Sequence, residues 1–139
     1  MHTFLFQQHV FDSSALINIE RRGQTQHLRR RRSEVILPEK VAGEVKVPGY
    51  PLNTFLKHYP NVITPFTPEE ENQYLRIRAQ PGIHDGEAAA ITIALSRQLP
   101  LVIDESAKRG KGKAENHDIQ CLGSEDFIKL WGGKPKLDS

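Results

Sequence analysis

Short apolar runs that end directly in an acid, separated by longer stretches of helical spacing, constrain this chain more than any other feature. Val10-Phe11 runs into Asp12, and Leu101-Val102-Ile103 runs into Asp104. Val35–Leu37, Val62–Ile63 and Ile119–Leu122 are further short apolar runs. Between them stand segments that read as helices. Ser14 to about Arg22 is broken by Gly23, and a basic helical turn or loop carries Arg29–Arg32. Pro38 opens a helix through Val45 from the first helical position, where a missing N–H costs nothing. Leu52–His58 is a short helix. Thr67-Pro68-Glu69-Glu70 starts another, which runs to about Ala79 and stops at Pro81-Gly82. Asp85–Gln98 is the clearest, with Ala88, Ile91, Ala94 and Leu95 on one face. Glu105 to about Lys113 is weakened by Gly110 and Gly112, and Ser124–Leu130 closes the series. Parallel strands need crossovers, and helical crossovers cover both faces of the sheet. The expected fold class is α/β, a three-layer α/β/α sandwich with a mainly parallel central sheet.

A chain of 139 residues can bury one core, so a single domain over 1–131 with a loose tail at 132–139 is expected. Hydrophobic content of 37% beside 26% charged residues excludes wholesale disorder. The apolar stretch Thr3–Phe11 is interrupted by Gln7, Gln8 and His9 and has no basic leader, so it does not read as a signal peptide. With one cysteine, Cys121, there is no internal disulfide, which fits a reducing cytoplasm. Cys121 reads as a small buried hydrophobe. The net charge of +2 selects no partner, but its distribution is uneven. Arg21, Arg22 and Arg29–Arg32 cluster early, and Lys108, Arg109, Lys111 and Lys113 late. Such clusters attract phosphate backbones, although a solvated helix face explains either one alone.

The chemically informative residues are acids at strand ends and helix starts, because a parallel α/β sheet binds ligands at the carboxyl ends of its strands. Asp12 and Asp104 follow strands directly. Glu44 lies near the end of the helix opened by Pro38, and Asp85 and Glu87 stand at the mouth of the clearest helix. Singly, each has a structural explanation: Asp12, Asp85 and Asp104 as caps, Glu87 in a first turn, Glu44 as a solvated residue. Their recurrence at one topological place is what argues for a site. Two carboxylates about 4 Å apart repel by roughly 4 kcal/mol at an effective dielectric of 20. An all-oxygen cluster therefore calls for a hard cation, Mg²⁺ or Mn²⁺ rather than zinc.

Four segments, in order, resemble the motifs of PIN-domain nucleases: Asp12-Ser13-Ser14-Ala15-Leu16, Pro38–Glu44, Asp85-Gly86-Glu87-Ala88-Ala89-Ala90-Ile91, and Leu101–Arg109. The third is similar to the D-x-G-E-A-x-A-I form of one prokaryotic subgroup. The resemblance implies a metal-dependent endoribonuclease that leaves a 5′-phosphate and a 3′-hydroxyl. Asp12, Glu44, Asp104 and one or both of Asp85 and Glu87 would bind Mg²⁺ or Mn²⁺. Ser14 would hold a ligand water or an acidic side chain, and Arg29, Arg30, Lys108 and Arg109 would support RNA. It further implies a VapC-type toxin, a homodimer inhibited by an antitoxin protein. The arginine run and Gly110–Lys113 depart from the common pattern.

Other chemistries lack their residues. The chain has no phosphate-binding G-x-x-x-x-G-K-[ST] loop, no C-x-x-C, no H-E-x-x-H and no G-x-S-x-G. His84 adjoins the acids, but a helix-flanking histidine is usually incidental. A phosphoaspartate or dehalogenase-type enzyme would want a second acid beside Asp12, where Ser13 and Ser14 stand. The remaining alternative is a non-catalytic PIN-like module that binds RNA or protein. Phe127, Ile128 and Trp131 are expected to dock the last helix.

Overall fold

The computed structural model describes residues 7–45, 51–104 and 118–130. In order, these form β1 (His9–Phe11), α1 (Ser13–Arg21), α2 (Thr25–Arg30), a 3₁₀ turn (Arg32–Glu34), β2 (Val35–Pro38), α3 (Glu39–Val45) and α4 (Pro51–His58). A second 3₁₀ turn (Pro60–Val62), β3 (Ile63–Thr64), α5 (Pro68–Arg78), α6 (Asp85–Arg97), β4 (Leu101–Val102), β5 (Cys121–Leu122) and α7 (Ser124–Lys129) follow. The five strands make one all-parallel sheet in the order β3-β2-β1-β4-β5. All five expected strands are present, and the α/β/α sandwich expected from them is the fold. The helix expected from Glu105, the tail at 132–139 and Trp131 lie outside the described residues.

The strand order places the site. From β1 the chain moves outward to β2 and β3, then returns to the other side of β1 for β4 and β5. The direction of winding therefore reverses between β1 and β4, and a crevice opens beyond the carboxyl ends of strands at such a reversal. Val10, Phe11, Leu101 and Val102 are fully buried, so the acids that follow these strands stand at the rim of the core. Among the described residues, no helix is long and apolar enough to cross a membrane.

Two local expectations are corrected. Pro38 does not open α3 but ends β2, opposite Thr64, and α3 starts at Glu39. Its locked φ suits an extended strand as well as a first helical turn, and its missing N–H is cheap where the ladder runs out. The N-cap of α6 is His84 rather than Asp85. That helix also buries more than one stripe: Gly86 and every residue from Ala88 to Ala94 are buried. It lies against β1, β2 and β4 and meets α3 and α5 on its other sides, a close approach that its alanines permit. α7 docks as expected of Phe127 and Ile128, both buried, with Phe127 edge-on to Phe11 at 4.9 Å between ring centroids.

The α5–α6 contact carries a half-buried ion pair. Thr67 and Glu70 form a reciprocal cap at the start of α5, Thr67 N donating to Glu70 Oε1 at 2.9 Å and Glu70 N to Thr67 Oγ1 at 3.2 Å. Arg97 of α6 then donates to both Glu70 oxygens at 2.8 Å. These bonds hold the Glu70 carboxyl down to about 2. A depressed carboxylate stabilises the fold fully above its ordinary value and loses that contribution as pH falls from about 4.5 to about 2. Glu70→Gln should therefore cost about 2–3 kcal/mol at neutral pH and flatten stability over that acid window. Urea unfolding of both proteins at pH 7 and pH 3 measures it. A variant as stable as the wild type at pH 7 would show the pair to be worth little.

Candidate active site

Asp12 caps α1 and has an oxygen left over. Its Oδ2 accepts from Ser14 N at 3.1 Å and from Ser14 Oγ at 2.8 Å. Its Oδ1 is buried and, among the described residues, has no hydrogen-bond partner. The structural role anticipated for this residue is thus real, yet it uses only half of the carboxylate. Burial, above all, raises the Asp12 carboxyl above its ordinary value, and the Asp104 charge adds to this; the Ser14 bonds and the Ser13 amide pull the other way. Ser14 is the hinge of the arrangement. Its hydroxyl donates to Asp12 and accepts from the Asp104 amide at 3.2 Å, tying the ends of β1 and β4 together. Holding an acidic side chain is one of the two roles expected of it.

Asp104 is buried and held on both oxygens. Oδ1 accepts from Ser124 N at 2.6 Å, while Oδ2 accepts from Ser124 Oγ at 2.8 Å and Asn18 Nδ2 at 2.5 Å. Arg22 reaches the same group, donating to Ser124 Oγ at 3.2 Å. Asn18, Ser124 and Arg22 were not anticipated. Asn18 could have been found from its i+4 spacing after Ser14 on α1. Ser124 follows β5 as Asp12 follows β1, with Gly123 between, so the strand-end rule applied to hydroxyls would have found it.

Glu44 comes from α3 and turns its carboxylate toward the start of α6, where Gly86 N donates to Oε2 at 3.1 Å. Burial raises this carboxyl most, with the Asp12 and Asp85 charges adding; the Ser13 side chain and the Gly86 amide work against the shift. Asp85 itself is exposed and ion-paired with Arg78 through a short contact. The Arg78 bond, first of all, holds its carboxyl below the ordinary value. Glu87 accepts from His84 N at 3.1 Å and so caps α6 from within.

Among the described residues, no three His, Cys, Asp or Glu side chains form a ready-made metal cluster. Asp12 feels the charge of Asp104, and Glu44 feels the charges of Asp12 and Asp85. The donor chemistry still fits a hard cation of the magnesium type, which keeps several waters and takes only one or two protein carboxylates directly. The unpartnered Asp12 Oδ1 is the position in which such an ion would relieve a cost already present.

Arg29 and Arg30, expected to support RNA, stand elsewhere. α1 carries the chain away from Asp12 for nine residues, roughly 13 Å at 1.5 Å per residue, before α2 begins. Arg29 and Arg30 are exposed on α2. Arg29 lines a cleft of about 390 Å³ with Glu20, Phe55, His58 and Tyr59, and Arg32 stacks 4.6 Å over the Tyr59 ring. Arg31 is different in kind. It donates to the buried Glu34 at 2.8 and 2.5 Å, and burial brings its guanidinium down to about 10. The arginine run is therefore not one uniform surface. Lys108 and Arg109 lie outside the described residues.

A parallel sheet whose winding reverses between β1 and β4, with a carboxylate at each of those strand ends, defines a candidate hydrolytic site of the acid-lined α/β kind. The sequence matches the PIN-domain family over residues 8–125, and the chain belongs to that family. PIN domains are generally nucleases and generally use divalent metals. The fold is similar to that in the crystal structure of PAE2754 from Pyrobaculum aerophilum, with a TM-score of 0.64 and 13% identity over 94% of this chain and 98% of that one. Among curated proteins, none matches the sequence.

Proposed function

We propose that this chain is a divalent-metal-dependent endoribonuclease that hydrolyses the phosphodiester bonds of RNA. The observation that carries the proposal is the Oδ1 of Asp12, buried at the winding reversal and unpartnered among the described residues, with the charges of Asp104 and Glu44 interacting with that of Asp12. Asp12 would bind the ion directly. Asp104, held rigidly by Asn18 and Ser124, and Glu44, held by Gly86, would bind it or orient its waters. Asp85 and Glu87 form the rim, where Asp85 adds charge that Glu44 feels. A bound Mg²⁺ or Mn²⁺ would supply an activated water and neutralise charge on the reacting phosphate. Preference for RNA over DNA, the toxin role, an antitoxin partner and a homodimer rest on the family resemblance.

The test is cleavage of an end-labelled single-stranded RNA by purified protein in Mn²⁺, in Mg²⁺ and in EDTA, beside a DNA of the same sequence. Metal-dependent cutting that leaves a 5′-phosphate is expected. A folded protein that binds RNA without cutting it in either metal would favour the binding-module alternative.

RNA holding can be tested separately. Replacing Arg29, Arg30 and Arg32 by Gln, while leaving the structural Arg31, should weaken binding. It should also reduce the slope of log K against log salt by up to about 2, at about 0.7 per phosphate contact on a single strand. An unchanged slope would assign these arginines to a solvated face.

A further inference from the structure

Gly86 is a glycine that the backbone does not require. It is the second residue of α6, is buried, and is not among the described glycines with positive φ, which are Gly23 and Gly82. Alanine favours a helix over glycine, and three alanines follow at 88–90. Something other than conformation therefore excludes a side chain here. A Cβ at position 86 would meet three atoms first, all of them in the Glu44 carboxyl group, with Cδ and Oε2 each at 2.7 Å. Real Cβ contacts do not come that close. The space where a side chain would stand is filled by the carboxylate, which accepts from the Gly86 amide at 3.1 Å.

We propose that Gly86 is the positioning residue for Glu44: the missing side chain lets the carboxylate of α3 sit over the first turn of α6. This rests on the metal-dependent reading above and gives the glycine of the Asp85-Gly86-Glu87 segment a specific task. Alanine at this position would expel the carboxylate. The atoms it meets are the tip of a flexible side chain and not backbone, so Glu44 can swing away while the fold persists. The substitution therefore separates placement of the acid from integrity of the domain.

The experiment is calorimetric Mn²⁺ titration of four proteins: the wild type, Gly86→Ala, Glu44→Ala and the double variant. Gly86→Ala should bind Mn²⁺ about ten- to a hundredfold more weakly, the loss typical of removing a group that orients a ligand. Its thermal midpoint in EDTA should equal or exceed that of the wild type. With Glu44 already removed, Gly86→Ala should cost no further affinity. Full Mn²⁺ affinity in folded Gly86→Ala, or losses that simply add, would overturn the assignment. The apo protein provides a metal-independent arm. The Gly86 amide proton resonance should move upfield in Glu44→Ala as its hydrogen bond is lost, and an unmoved resonance also overturns the assignment. A wild type that binds no Mn²⁺ while the resonance moves would overturn the metal-dependent reading and leave the Gly86–Glu44 placement standing.

Discussion

Asp12→Asn should lower Mn²⁺-dependent RNA cleavage by on the order of 10²–10³-fold, the usual loss when one preorganised electrostatic group is removed from a reacting centre. It is the cleanest probe of the site. An asparagine oxygen can still accept from Ser14, so the cap of α1 survives, while the charge on the unpartnered side disappears. Glu44→Gln should lose activity similarly and keep an acceptor for Gly86. Asp104→Asn should also be inactive, but for a mixed reason. Both oxygens of Asp104 accept hydrogen bonds, so an amide there sets one donor against another and costs about 1–3 kcal/mol of stability. Single-turnover cleavage of a labelled RNA, with circular dichroism to confirm folding, measures all three. Near wild-type turnover in any two folded variants would sink the carboxylate reading.

Metal should also appear in the melting curve. A cation that binds only the folded state stabilises it by about 2.7 kcal/mol at a hundred times its Kd, which for a domain of this size raises the midpoint by roughly 5–10 °C. Low-millimolar Mn²⁺ should produce that rise in the wild type and much less in Asp12→Asn. Without metal the order reverses. Burial raises the Asp12 carboxyl in the folded state, so its ionisation opposes folding at neutral pH. That cost fades as pH falls through the raised value and is gone below the ordinary one. In EDTA, Asp12→Asn should therefore melt above the wild type at pH 7 and lose the advantage toward acid. Midpoints indifferent to Mn²⁺ and equal in the two proteins would count against a metal at Asp12.

Much of the fold was legible because short-range physics wrote it. Apolar runs at Val10, Val35, Val62, Leu101 and Ile119 are strands by composition, and Thr67-Pro68-Glu69-Glu70 is a helix start by capping chemistry alone. Asp12 and Asp104 were recognisable because a parallel sheet presents its strand ends on one side. What failed locally was ambiguous locally: a proline suits the end of β2 as well as the start of a helix, and His84 or Asp85 can precede the first turn of α6.

Partners distant in sequence belong to another class. Nothing near Asn18 or Ser124 says that both would hold Asp104, nothing near Arg97 points to Glu70, and nothing near Gly86 says that Glu44 needs the space. The same holds for charge. Six arginines between positions 21 and 32 look alike in sequence, yet Arg22 reaches Ser124, Arg31 is paired with Glu34, Arg32 lies on Tyr59, and Arg29 lines a cleft. The sequence by itself determined which segments become strands and helices and which acids stand at strand ends, because those depend on neighbours along the chain. Only the tertiary structure decided which acids meet, which are tied up by arginines or caps, and which oxygen is left over. Those outcomes depend on distances across the sheet, and the order in which strands pack sets them.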